Sequence, residues 1–148
     1  MKNYVIGFAF TEDLNKVVLI RKNRPEWQAG KLNGVGGHLE ERESWMAAMK
    51  REFEEETGVP NEKQHWQLIS IMSDDEHYRL FVYAAKGDFA LEADTKTDEN
   101  IARYDVKDLL ENALGNNPET IFNVPWLILM ARQILSGRDQ APLYNIEH

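Results

Sequence analysis

Between Ser44 and Thr57 the chain carries neither Gly nor Pro and is rich in Ala, Met, Glu, Lys and Arg. Such residues lose little freedom in a helix, so the stretch predicts one. Ser44 is a good N-cap. Gly58 stands where a left-handed glycine closes a helix, and Pro60 follows soon after. On this helix Glu52, Glu55 and Glu56 fall at i, i+3 and i+4 and share one face. Met46, Met49 and Phe53 occupy a different stripe, suited to packing against a sheet. One side is therefore apolar while another gathers carboxylate oxygens.

The acidic face breaks two local rules. Like charges at i, i+4 cost about 0.2–0.5 kcal/mol per pair in an isolated helix, and a helix C-terminus favours cations over carboxylates. Arg51 is the base beside the cluster, and no Lys follows before the helix ends. A hard divalent cation resolves the conflict: Mg²⁺ and Mn²⁺ favour carboxylate and carbonyl oxygens, and Mg²⁺ commonly bridges protein carboxylates to substrate phosphates. A local rule broken without visible compensation marks an expected functional site. Glu54 points about 100° away from Glu55 around the helix and reads as ordinary solvated charge.

The helix belongs to a longer pattern whose fixed points are Gly37, Glu43, Arg51, Glu52, Glu55, Glu56 and Gly58, with apolar Phe53 and Val59. At average frequencies of about 7% per residue, such a pattern arises by chance on the order of once in 10⁸ starting points. It resembles the Nudix box at every defined position. The resemblance implies an α/β fold, an α/β/α sandwich with a mixed β-sheet and a loop–helix–loop catalytic box. It also implies a hydrolase of nucleoside diphosphates linked to another group. Glu55 and Glu56 would be the main metal ligands and Glu52 either a further ligand or the base that activates water. Arg51 and Glu43 would pair as scaffolding, and the Gly36 carbonyl would supply another metal oxygen. The implied cofactor is Mg²⁺ (or Mn²⁺), and two or three ions are allowed, because one ion does not easily serve both attacking and leaving oxygens.

Around the box, Gly34, Gly36 and Gly37 read as a sharp turn able to approach phosphate closely. His38 either hydrogen-bonds a phosphate or is simply solvated. Arg21, Lys22 and Arg24 either face substrate phosphates or form an exposed strand end. Nudix enzymes often draw a further carboxylate from a late loop, and Asp98 or Glu99 stands in that part of the chain, with Glu99 preferred. The segment Gly30–Gly37 resembles the approach to the box in MutT-like nucleoside triphosphate pyrophosphatases. On that comparison the Asn33 amide reads a base, its alternative being a turn residue. Trp27, Tyr78 and Phe81 are base-stacking or core aromatics.

The expected substrate is thus a small nucleotide, most simply a nucleoside triphosphate cleaved to monophosphate and pyrophosphate. Dinucleoside polyphosphate or nucleotide-sugar cleavage is the alternative. A non-catalytic nucleotide-sensing domain is a further one, disfavoured because its box would be damaged.

The 148 residues suffice for one domain spanning 1–148, with 138–148 read as a loose tail. A net charge of −8 excludes the basic footprint of a general nucleic-acid binder. The absence of cysteine rules out disulfides and fits a cytoplasmic protein. The apolar run Tyr4–Phe10 is too brief for a secretory signal, and no run nears the ~20 residues that span a membrane. A homodimer is compatible with the sequence and not specified by it.

Elsewhere, Tyr4–Phe10 and Val17–Arg21 predict a hairpin through Thr11–Asn15, and Lys22–Lys31 a loop. His65–Met72 and His77–Ala85 read as strands around an acidic turn at Ser73–Glu76, and Ile101–Tyr104 as a short strand. Val106–Ala113 reads as a helix capped by Asp105. A last helix runs from an Asn123 cap to about Ser136, with Gly137 closing it. Trp126, Leu127, Leu129, Met130 and Ile134 predict that this helix is largely buried.

Overall fold

The computed structural model describes residues 1–111 and 118–137. The strands are β1 (Lys2–Phe10), β2 (Lys16–Arg21), β3 (Leu32–Asn33), β4 (Val35–His38), β5 (Gln67–Asp74), β6 (Tyr78–Lys86) and β7 (Asn100–Asp105). The helices are α1 (Trp45–Thr57), α2 (Val106–Glu111) and α3 (Val124–Ser136).

The apolar run of β1 places it at the centre of a mixed sheet. It pairs parallel with β6 over its whole length. On its other edge it is shared: Tyr4–Gly7 pair antiparallel with β4, and Ala9 and Phe10 with β2. β5 flanks β6, and β2 also carries β3 and β7. The hairpin at Thr11–Asn15 turns through Leu14 at φ 66°.

Strand alternation divides the core into two layers. Val5, Ala9, Val18, Ile20, Tyr83 and Ala85 face one side, where Ala48, Met49 and Phe53 of α1 cover them. Ile6, Phe8, Phe10, Val17, Leu19, Val82 and Ala84 face the other, beneath Val106 and Leu109 of α2 and Leu127, Ile128 and Ala131 of α3. The result is the expected α/β/α sandwich. Helix α1 lies so close to β1 that a Cβ on Gly7 would sit 2.7 Å from Met49 Cε. Its first residue, Trp45, stacks on Phe81 of β6 with ring centroids 3.5 Å apart.

Several expectations need correction. Met46 is 37% exposed, because the buried stripe of α1 runs through Ala48, Met49, Phe53 and Thr57 instead. Trp126 and Leu129 are 58% and 46% exposed: an outer helix meets the sheet on one side only, and Val124, Leu127, Ile128 and Ala131 take it. The Asn123 side chain makes no cap bond, since its backbone is already helical (φ −93°, ψ −4°) rather than extended. Gly34–Gly37 is no sharp turn, as Val35–His38 forms a strand paired to β1. The end of the Val106–Ala113 helix and the tail 138–148 lie outside the described residues. Among the described residues no helix is long and apolar enough to cross a membrane.

Candidate active site

Both ends of α1 are fixed by the residues its sequence supplies. Ser44 Oγ accepts the Ala47 N–H at 3.1 Å. Gly58 closes the helix at φ 81°, a left-handed conformation that costs glycine little, and its N–H donates to the Glu54 carbonyl. With Met49 and Phe53 held in the core, Arg51 and Glu52 are delivered to β4 and Glu56 to the loop carrying Thr97.

Arg51 organises the cluster. Its Nε and Nη2 donate to the two Glu43 oxygens at 2.7 and 2.9 Å, a bidentate grip. Nη2 also donates to the His38 carbonyl at 2.9 Å, and Nη1 to Glu52 at 2.9 Å and Glu55 at 3.3 Å. Glu43 in turn accepts the Glu40 N–H at 3.0 Å. One guanidinium thus ties strand β4, the following loop and the helix together.

The Arg51 hydrogen bonds hold the Glu43 carboxyl below its ordinary value, and the same pairing raises Arg51. A carboxyl depressed in the fold stabilises it fully above the unfolded value, about 4.3, and loses that contribution as pH falls through the folded one. Glu43→Gln should therefore cost about 1.5–3 kcal/mol at neutral pH. The gap to wild type should shrink in strongly acid solution. Urea unfolding of both proteins across that range measures it, and a gap independent of pH would contradict the assignment.

Glu52 sits deepest. Its side chain is 13% exposed, and it rests against Gly37, where a Cβ would lie 2.3 Å from Glu52 Oε2. Burial is the main force raising its carboxyl above the usual range, aided by Glu55 and Glu56 and opposed by Arg51. Gly36 serves another contact: a Cβ there would lie 1.9 Å from the Val5 carbonyl oxygen. These glycines are needed for close approach, one to a strand and one to a carboxylate.

Glu56 takes a hydrogen bond from the Thr97 hydroxyl at 2.8 Å. Glu55 and Glu52 are drawn to Arg51. Among the described residues no three acidic or histidine side chains are already gathered as one metal-holding group. The donor set nevertheless fits a hard divalent ion in kind and in charge. Glu43, Glu52 and Glu55 surround the Arg51 cation, Glu56 stands beside them on Thr97, and all four offer oxygen.

The late loop does reach the box, but through Thr97. Glu99 is 3% exposed, accepting the Asn23 N–H at 2.6 Å and Lys22 Nζ at 3.2 Å. Arg24 pairs with Asp98 and lies 3.8 Å from Glu99. The Lys22 and Arg24 cations thus meet acids of this loop, and Arg21 donates to the Gly30 carbonyl. Asn33 lies opposite Ile20 on the α1 face. Its Oδ1 accepts the Gly34 N–H at 2.8 Å and its Nδ2 donates to Gln28 Oε1 at 3.4 Å. His38 and Tyr78 pair with Tyr4 and Lys2. Alternation from Ile6 puts those side chains on the sheet face opposite α1, and the His38 ring packs on Tyr4 at 4.5 Å. Neither side chain joins the carboxylates. Trp27 is 63% exposed rather than core. Thr97 was missed because nothing in the acidic segment 94–99 distinguishes its hydroxyl.

A model of the NUDIX domain matches residues 1–124, and the chain belongs to the Nudix family. Its intact box makes it a Nudix pyrophosphohydrolase by class. Among solved structures, a MutT from work on Aliivibrio salmonicida and Vibrio cholerae superposes with a TM-score of 0.67 at 24% identity, covering 89% of this chain and 98% of that one. A Nudix-family hydrolase from Clostridium perfringens gives 0.65 at 22% identity, covering 90% and 97%. At such identities these likenesses concern the fold. No curated protein sequence matches the chain.

Proposed function

We propose that this protein hydrolyses nucleoside triphosphates to monophosphate and pyrophosphate with Mg²⁺ or Mn²⁺, acting as a single domain. The observation that carries the reading is the surplus of carboxylates over cations around Arg51, set against the Gly36–Gly37 strand. Glu55, Glu56 and the Gly36 carbonyl would hold the ion, with Glu52 beside them. A bound divalent ion supplies positive charge to the phosphate oxygens.

In this reading Glu52 takes the proton of the water that attacks phosphorus, as the new P–O bond forms and the anhydride P–O bond breaks. A carboxyl raised by burial suits that task, since it binds a proton more readily than a solvated one. Arg51 keeps Glu52 oriented, and its grip on Glu43 fixes the loop that precedes the helix. Asn33, on the α1 face, is the candidate for reading the base, after exchanging its Gln28 contact for the substrate.

A panel of nucleoside triphosphates, dinucleoside polyphosphates and nucleotide sugars, assayed with Mg²⁺ and with excess chelator, tests the reading. We expect monophosphate and pyrophosphate from a triphosphate, abolished by chelator and restored by Mg²⁺. Activity that survives chelator overturns the metal. Cleavage of the conjugates alone moves the assignment to them.

A further inference from the structure

We propose that Thr97 is a positioning residue for Glu56, an inference that rests on Glu56 being a metal ligand. The Thr97 hydroxyl accepts the Glu99 backbone N–H at 3.2 Å and donates to Glu56 Oε2 at 2.8 Å. A hydroxyl has one proton; with the N–H pointing at its lone pair, that proton goes to the carboxylate. Glu56 Oε2 is thereby fixed, and Oε1 is left for an ion.

The support behind Thr97 is firm. Glu99 is anchored by Asn23 and Lys22, the Asn23 side-chain amide donates to the Asp98 carbonyl at 2.7 Å, and Thr95 Oγ1 accepts the Ile101 N–H at 2.9 Å. Thr97 also separates the fates of two neighbouring acids. Glu55 is paired with Arg51 at 3.3 Å, whereas Glu56 is held by a neutral donor that an ion need not displace. Outer partners of this kind orient ligating carboxylates, and their loss typically weakens metal affinity about 10–100-fold.

The test titrates Mn²⁺ into the substrate-free protein and follows the free ion by electron paramagnetic resonance. Thr97→Val, which keeps the shape without the donor, and Thr97→Ala should each bind Mn²⁺ about 10–100-fold more weakly. Thr97→Ser should restore wild-type affinity. Thr97 is exposed, so all three should melt close to wild type. Wild-type affinity in Thr97→Val and Thr97→Ala, or weak binding by Thr97→Ser, overturns the role. Glu56→Gln separates the two levels. If it binds Mn²⁺ like wild type, the ligand assignment fails and the proposal with it. If it binds weakly while Thr97→Val does not, only the positioning role falls.

Discussion

Glu52→Gln is expected to lower kcat by about 10²–10⁴-fold in a protein that stays folded. The carboxylate is nearly enclosed, and burial raises its proton affinity. Both facts make it a better acceptor of a water proton than the more exposed Glu55. Gln keeps the shape against Gly37 and removes the basicity. The same burial makes the ionised carboxylate costly to the fold, so the substitution should not destabilise it; Arg51 retains its bidentate partner Glu43. Steady-state kinetics and thermal melts, taken together, decide the matter. A rate near wild type would remove Glu52 as the base, while a cooperative loss of fold would show its role to be structural.

Gly36→Ala is expected to destabilise the protein by at least about 3 kcal/mol, the upper range for overpacking. That is a large part of the 5–15 kcal/mol typical of a domain. The added Cβ would stand 1.9 Å from the Val5 carbonyl oxygen, a backbone atom that moves only if β4 parts from β1. Gly37→Ala provides the contrast. There the obstacle is Glu52 Oε2 at 2.3 Å, the end of a side chain able to swing away. Its loss should fall more heavily on kcat than on stability. Melting temperatures and rates for the pair should thus rank oppositely, and equal melting temperatures would show that β1 and β4 can yield.

Much of the fold was legible because its signals are local. The caps at Ser44 and Gly58, the apolar runs of β1, β2 and β6, and the spacing of Glu52, Glu55 and Glu56 are set by residues a few positions apart. The glycine run before the box misled, since its partner strand lies some thirty residues upstream in β1 and glycine by itself favours turns. Trp126 and Leu129 misled in another way. Apolar spacing shows that a helix has a buried face, but the number of layers around it decides how wide that face is.

Sequence alone determined the class of chemistry: a helix that crowds acids at its C-terminal end, beside one arginine, in a spacing that chance does not supply. Tertiary structure decided which oxygens are held and by what. It turned Glu99 inward to Lys22 and Asn23, set Glu52 against Gly37, and brought Thr97 to Glu56 across 41 positions of chain. The difference is physical. A helix fixes the relative directions of its own side chains through 3.6-residue geometry, whereas a hydrogen bond between distant segments exists only once the core has brought them together.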